Sequence, residues 1–160
     1  MKTQSHPSGR LIGALAFVLS LASAPAWAQG MIVNARDRSL GIYAINGATH
    51  NAALRLHNRC SPQTPECLWL LQNGVLYNGK TNLVVRAMSL QPGAPLVMSD
   101  PSQCGPNGVL CTWVYRDGMF VSYSAPQLAI VAAGGPRLGS ELRLNVNCNP
   151  SIPDCSWTRP

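Results

Sequence analysis

The residues that could do chemistry in this 160-residue chain are few: six cysteines, six carboxylates and three histidines. The cysteines stand at 60, 67, 104, 111, 148 and 155, and each successive pair encloses six residues. A structural zinc site favours cysteines separated by roughly two to four residues, and no such pair exists here. Thiols in an oxidising compartment pair instead, and six of them permit fifteen connectivities. No odd cysteine is then left over as a nucleophile.

Catalysis finds little else to use. The chain has no Gly-x-Ser-x-Gly, no His-Glu-x-x-His and no Gly-x-Gly-x-x-Gly phosphate cradle. The carboxylates at 37, 66, 100, 117, 141 and 154 are dispersed, so an acid–base pair would need a coincidence in space. No enzyme activity, catalytic residue, metal or cofactor is expected. Lys and Arg number 12 against 6 Asp and Glu, but no basic run forms a nucleic-acid stripe.

The first 28 residues carry an address. Lys2 and Arg10 precede an apolar run, Leu11–Ala22, followed by Pro25 and the small-x-small site Ala26-Trp27-Ala28. This is a signal-peptide pattern, too short for a comfortable membrane span, and cleavage is expected after Ala28. No cysteine follows the apolar run to take a lipid. The expected mature chain is 29–160, with ten basic and six acidic residues, secreted or periplasmic, with no second hydrophobic stretch to span a membrane.

A 44-residue period organises the expected mature chain. The cysteine pairs repeat at that step, and Trp69, Trp113 and Trp157 each stand two residues after a second cysteine. Gly30, Gly74 and Gly118 open three further matching segments. The expected units are 29–72, 73–116 and 117–160, forming one domain. The period selects one connectivity of the fifteen: Cys60–Cys67, Cys104–Cys111 and Cys148–Cys155. Each such clip closes an eight-residue ring, worth roughly 2–2.5 kcal/mol in the chain-entropy account.

Within each repeat the apolar pattern is short, alternating and rich in β-branched residues. Repeat one reads MIVN, LGIYA, LRLH and WLLQ, with turn dipeptides such as Asn46-Gly47 and Asn73-Gly74 between strands. Four strands per repeat make twelve, with negligible helix. The repeats are expected to close on themselves into a barrel rather than leave open edges. The three tryptophans are expected in its core.

Three repeats of four strands ending in a tryptophan motif resemble the β-trefoil of ricin B-type lectins. In that family each repeat ends in Gln-x-Trp, and here Cys67, Cys111 and Cys155 replace the Gln. The resemblance implies an all-β, pseudo-threefold β-trefoil and a lectin-like role. It also implies where a sugar would bind. Ile42, Val85 and Ile130 align with the family's hydroxyl-gripping Asp, and none can accept a hydrogen bond. Its aromatic platform aligns with His57, Ser99 and Asn145, its Gln with Arg55, Val97 and Arg143, and its Asn with Glu66, Leu110 and Asp154.

Two polar groups therefore survive: Arg55, His57 and Glu66 in repeat one, and Arg143, Asn145 and Asp154 in repeat three. An arginine fork beside a carboxylate suits an anionic or polyhydroxylated ligand. The competing expectation pairs each arginine with the acid of its own repeat in a surface salt bridge. The functional expectation is a lectin-like module recognising a glycan or glycoprotein, including as the cell-binding subunit of a toxin. The alternative is a protein-recognition module, such as a protease inhibitor, contacting its partner through repeat two or through loop tips such as that of His50. Neither reading involves nucleic acid.

Overall fold

The computed structural model describes residues 29–158. The expected signal peptide, and residues 159 and 160, lie outside them. The chain forms eleven short strands: β1 (Gly30–Met31), β2 (Gly41–Ala44), β3 (Leu54–His57), β4 (Leu68–Gln72), β5 (Val75–Asn78), β6 (Val84–Ala87), β7 (Leu96–Ser99), β8 (Trp113–Arg116), β9 (Met119–Ser122), β10 (Ala129–Ala132) and β11 (Leu142–Asn145). The twelfth expected strand is reduced to a single bridge between Asn34 and Trp157. Helix is confined to short turns. At Ile45–Ala48 the expected Asn46-Gly47 turn puts both residues at positive φ, 57° and 79°.

Two rings of strands result. β1 pairs with β4, β4 with β5 and β8 with β9. The Val75↔Thr112 and Asn34↔Trp157 bridges, with Trp157 N–H on the Gly118 carbonyl, close these into a barrel. The other ring is made of three hairpins: β2–β3, β6–β7 and β10–β11. Bridges Ala53↔Val97, Pro95↔Arg143 and Glu141↔Arg55 join each hairpin to the next and bring the three together around one axis. Closure leaves no long unpaired edge among the described residues.

Each tryptophan seals its own repeat. Trp69, Trp113 and Trp157 are buried, and their Nε1–H groups donate to the carbonyls of Ile42 (3.0 Å), Val85 (3.1 Å) and Ile130 (3.0 Å). A buried indole thereby keeps its donor satisfied while filling the core. These bonds fix the true correspondence between repeats. Repeat two is one residue shorter between Asn78 and Leu83 and one shorter in its hairpin loop, then two longer between Ser99 and Cys104. The deletions and the insertion cancel, so the 44-residue period survives while the strands between shift.

All three clips are bonded: Cys60–Cys67, Cys104–Cys111 and Cys148–Cys155. Asn34 and Asn78 anchor two of them from neighbouring strands. Asn78 Nδ2 donates to the carbonyls of Pro65 and Leu68, and Asn34 Nδ2 to those of Pro153 and Ser156. Both side-chain oxygens accept backbone N–H groups of the loop just downstream. Ser122, at the third such position, accepts only Ala125 N–H through its hydroxyl.

Candidate functional site

Strand alternation decides which residues can meet a ligand. Ile42, Val85 and Ile130 point inward and are 2%, 2% and 1% exposed. Their inability to accept a hydrogen bond therefore says nothing about a surface site, which corrects the weight given to them from the sequence. The outward positions on the same strands are Gly41, Val84 and Ala129, paired with His57, Ser99 and Asn145. The next outward positions are Tyr43, Arg86 and Val131, paired with Arg55, Val97 and Arg143.

The disulfides pack onto this outer face. A Cβ at Gly41 would stand 2.7 Å from Cys60 Cβ and 2.8 Å from its Sγ. In repeat two Val84 forms an apolar cluster with Cys104 and Cys111, joined by Tyr77 and Leu110. In repeat three Ala129 and Val131 cluster with Cys155, Met119, Val121 and Ile152. Those two outer faces carry apolar clusters around their disulfides, with half-buried Arg86 in repeat two and Arg143 and Asn145 in repeat three beside them. In repeat one Tyr43, Arg55 and His57 are half-buried.

There they line a cleft of about 410 Å³ together with Asn46, buried Leu56, and Leu138 and Gly139 of repeat three. The Tyr43 and His57 rings lie 5.0 Å apart at 39°. Arg59 N–H donates to His57 Nδ1 (3.0 Å), so the neutral imidazole carries its proton on Nε2 and offers a donor there. Arg55 uses only Nη2 among the described residues, and its Nε is buried without a partner.

That Nη2 bond does not go to Glu66. Arg55 Nη2 reaches Glu141 Oε1 at 3.0 Å, and Arg143 Nη2 reaches Glu141 Oε2 at 2.7 Å. The two polar groups expected as separate sites in repeats one and three are thus joined through one carboxylate. The expected pairings Arg55–Glu66 and Arg143–Asp154 are replaced because Arg55 bridges to Glu141 across the hairpin ring, while Arg143 sits two residues along the same strand face. Arg143 Nη1 also donates to the Gly93 carbonyl at 2.9 Å. Hydrogen bonding to Arg143, with a smaller part from Arg55, holds the Glu141 carboxyl below its ordinary range against the opposing effect of desolvation.

The remaining expected residues stay apart from this cleft. Glu66 and Asp154 each occupy the middle of a 3₁₀ turn inside their clips, and Asn145 turns its side-chain oxygen to the amides of Val146 and Asn147. Sequence reasoning missed Glu141, Tyr43 and Leu138. Glu141 did leave a signal, since its counterparts Ala53 and Pro95 are uncharged and it lies at the i,i+2 spacing from Arg143. Leu138, 58% exposed, left none, because it reaches the cleft from another repeat.

No protein-family model matches the sequence, and no curated protein matches it. Solved structures do. A designed threefold-symmetric protein, ThreeFoil, superposes with a TM-score of 0.63 at 13% identity, over 79% of this chain and 94% of that one. The C-half of an earthworm R-type lectin in complex with GalNAc gives 0.62 at 11%, over 80% and 94%. The chain has the β-trefoil fold. The agglutinin from Abrus precatorius matches this trefoil with a TM-score of 0.68 at 15% identity, over 84% of this chain and 49% of the agglutinin. At these identities the likeness establishes the fold of the trefoil, and its ligand must be argued from its own cleft.

Proposed function

We propose that this protein is an exported, non-enzymatic carbohydrate-binding module whose glycan site is the repeat-one cleft. The observation that carries this reading is the contrast between repeats. Two outer faces carry apolar clusters built around their disulfides, and the third presents two rings, a guanidinium and an imidazole donor around about 410 Å³. Rings stack on the apolar face of a sugar, while Arg55, His57 Nε2–H and the Asn46 amide supply the few directed polar contacts that fix a ligand's orientation. Structural neighbours that are lectins, one of them holding GalNAc, support the carbohydrate class. The apolar leader at 1–28 and the three disulfides support export to an oxidising compartment. A module of this size suits free glycan recognition or the cell-binding part of a toxin.

The test is a glycan array, then titration of the best binder against wild type, Tyr43→Ala and Arg55→Ala. Each variant is expected to weaken binding about tenfold or more, which corresponds to ~1.4 kcal/mol. Oxidised protein that retains no glycan at micromolar concentration refutes the reading.

A further inference from the structure

The repeat-one cleft does not end at Leu138. A second cleft, of about 360 Å³, adjoins it and is lined by Ala133, Arg137, Ser140 and Glu141 together with Leu138 and Gly139. The two share Leu138 and Gly139 as a common wall. An ion pair also ties them, because Arg55 of the first cleft holds Glu141 of the second. Both are shallow and open to solvent, and their volumes fall at the low end of the roughly 300 to 1,000 Å³ of small-ligand clefts.

The charge along this double cleft is one-sided. Arg55 lines the first cleft and Arg137 the second, with Glu141 as the single carboxylate of the two, and both oxygens of Glu141 are already taken by Arg55 and by Arg143. Arg137 is exposed and makes its only side-chain bond to the Gly134 carbonyl of its own loop, so no acid neutralises it among the described residues. A ligand lying over the Leu138 ridge meets aromatic rings and a donor on one side and surplus guanidinium on the other.

We infer that the two clefts act as consecutive subsites for a linear acidic oligosaccharide. One sugar ring stacks at Tyr43 and His57, and a carboxylate or sulfate ester further along the chain than the adjoining unit, beyond the span of a dimer, pairs with Arg137. This rests on the proposed carbohydrate site and extends it: the ligand is an internal stretch of an anionic chain rather than a single terminal sugar. Guanidinium suits both anions, since its planar fork matches either geometry. Linking two weak subsites through one chain makes the second contact effectively intramolecular.

Calorimetry with the oxidised protein distinguishes the possibilities. The probes are an oligogalacturonate hexamer and dimer, a sulfated heparin-type hexasaccharide, neutral cellohexaose and a hexaglutamate peptide. At least one acidic hexasaccharide is expected to bind about tenfold tighter than the uronate dimer and than cellohexaose, and which one identifies the anion. Arg137→Glu is expected to remove that gain and leave dimer binding intact, whereas the charge control Arg38→Glu leaves both unchanged. Equal affinity for dimer and hexamer, equal binding of cellohexaose, or equal losses in the two variants overturns the double-cleft inference alone. Hexaglutamate binding as tightly as the acidic sugar overturns its carbohydrate assignment. Failure of every glycan on the array and in calorimetry removes the underlying lectin reading as well.

Discussion

Gly41→Ala tests whether the disulfide clip is a packed structural element of the site or merely a tether. Gly41 is buried on β2, opposite His57, and does not have positive φ, so an alanine there faces no backbone strain. The obstacle is steric. Its Cβ would stand 2.7 Å from Cys60 Cβ and 2.8 Å from Cys60 Sγ, about 0.7 Å short of ordinary contact. Cys60 cannot swing aside, because its sulfur is bonded to Cys67, which is fully buried. Overpacking of this kind costs ~1–3 kcal/mol. The clip itself contributes about 2.5 kcal/mol by closing an eight-residue ring. Once Cys60→Ser and Cys67→Ser open the ring, the loop can yield, and the ordinary gain of ~0.4–1 kcal/mol from replacing glycine offsets most of the residual clash. The cycle therefore predicts a coupling of roughly 1–2 kcal/mol between residue 41 and the disulfide. Urea unfolding of the four proteins, without reductant, measures it. A Gly41→Ala cost that is the same in both backgrounds, or absent from the wild type, refutes the reasoning that the clip is pressed onto this strand. Glycan titration of Gly41→Ala adds a functional readout, since His57 lies opposite and is expected to be displaced with the clip.

Glu141→Gln should lower stability by no more than about 1 kcal/mol, since both of its ion pairs are more than a third exposed and screened by solvent. Its pH dependence gives the sharper signature. The folded-state pKa of Glu141 is lowered, so its stabilisation is fully present above the unfolded carboxyl value of 4.5 and is lost as pH falls through the folded value. Wild type minus Glu141→Gln should therefore shrink only below about pH 4.5, and thermal melts from about pH 3 to pH 7 measure that difference; a constant gap across the range would contradict the assignment. Asn78→Ala should destabilise by ~2–4 kcal/mol in the same urea assay, because it removes four partly buried hydrogen bonds to the backbone of Pro65, Leu68, Lys80 and Thr81. Ser122→Ala, which removes one such bond, should cost about 1 kcal/mol, and equal losses would show that the asparagine does not staple the clip.

The resemblance to a trefoil was legible because its carriers are local and periodic. Cysteine spacing, the Trp step and alternation of apolar residues each depend on a handful of neighbouring positions, and the fold places Trp69, Trp113 and Trp157 in the core and bonds each clip. Aligning Ile42, Val85 and Ile130 across repeats of unequal internal spacing also succeeded, since all three carbonyls receive a tryptophan N–H. Which side of the sheet those side chains occupy was not legible from the alignment. A one-residue step along a strand exchanges core for surface, and that step separates inert Ile42 from Gly41 and Tyr43.

The repeat period alone was enough to set the number of units, the pairing of cysteines and the fate of the tryptophans, because repeated residues must solve the same packing problem three times. It could not set where the symmetry breaks. Arg55 and Arg143 look like equivalent members of separate sites until the hairpin ring brings Glu141 between them. Likewise Leu138 joins Tyr43 and His57 only after the chain has passed through repeat two and into repeat three. Those contacts are made between repeats rather than within one. Their geometry depends on how three hairpins close around an axis, and only the folded chain contains that closure.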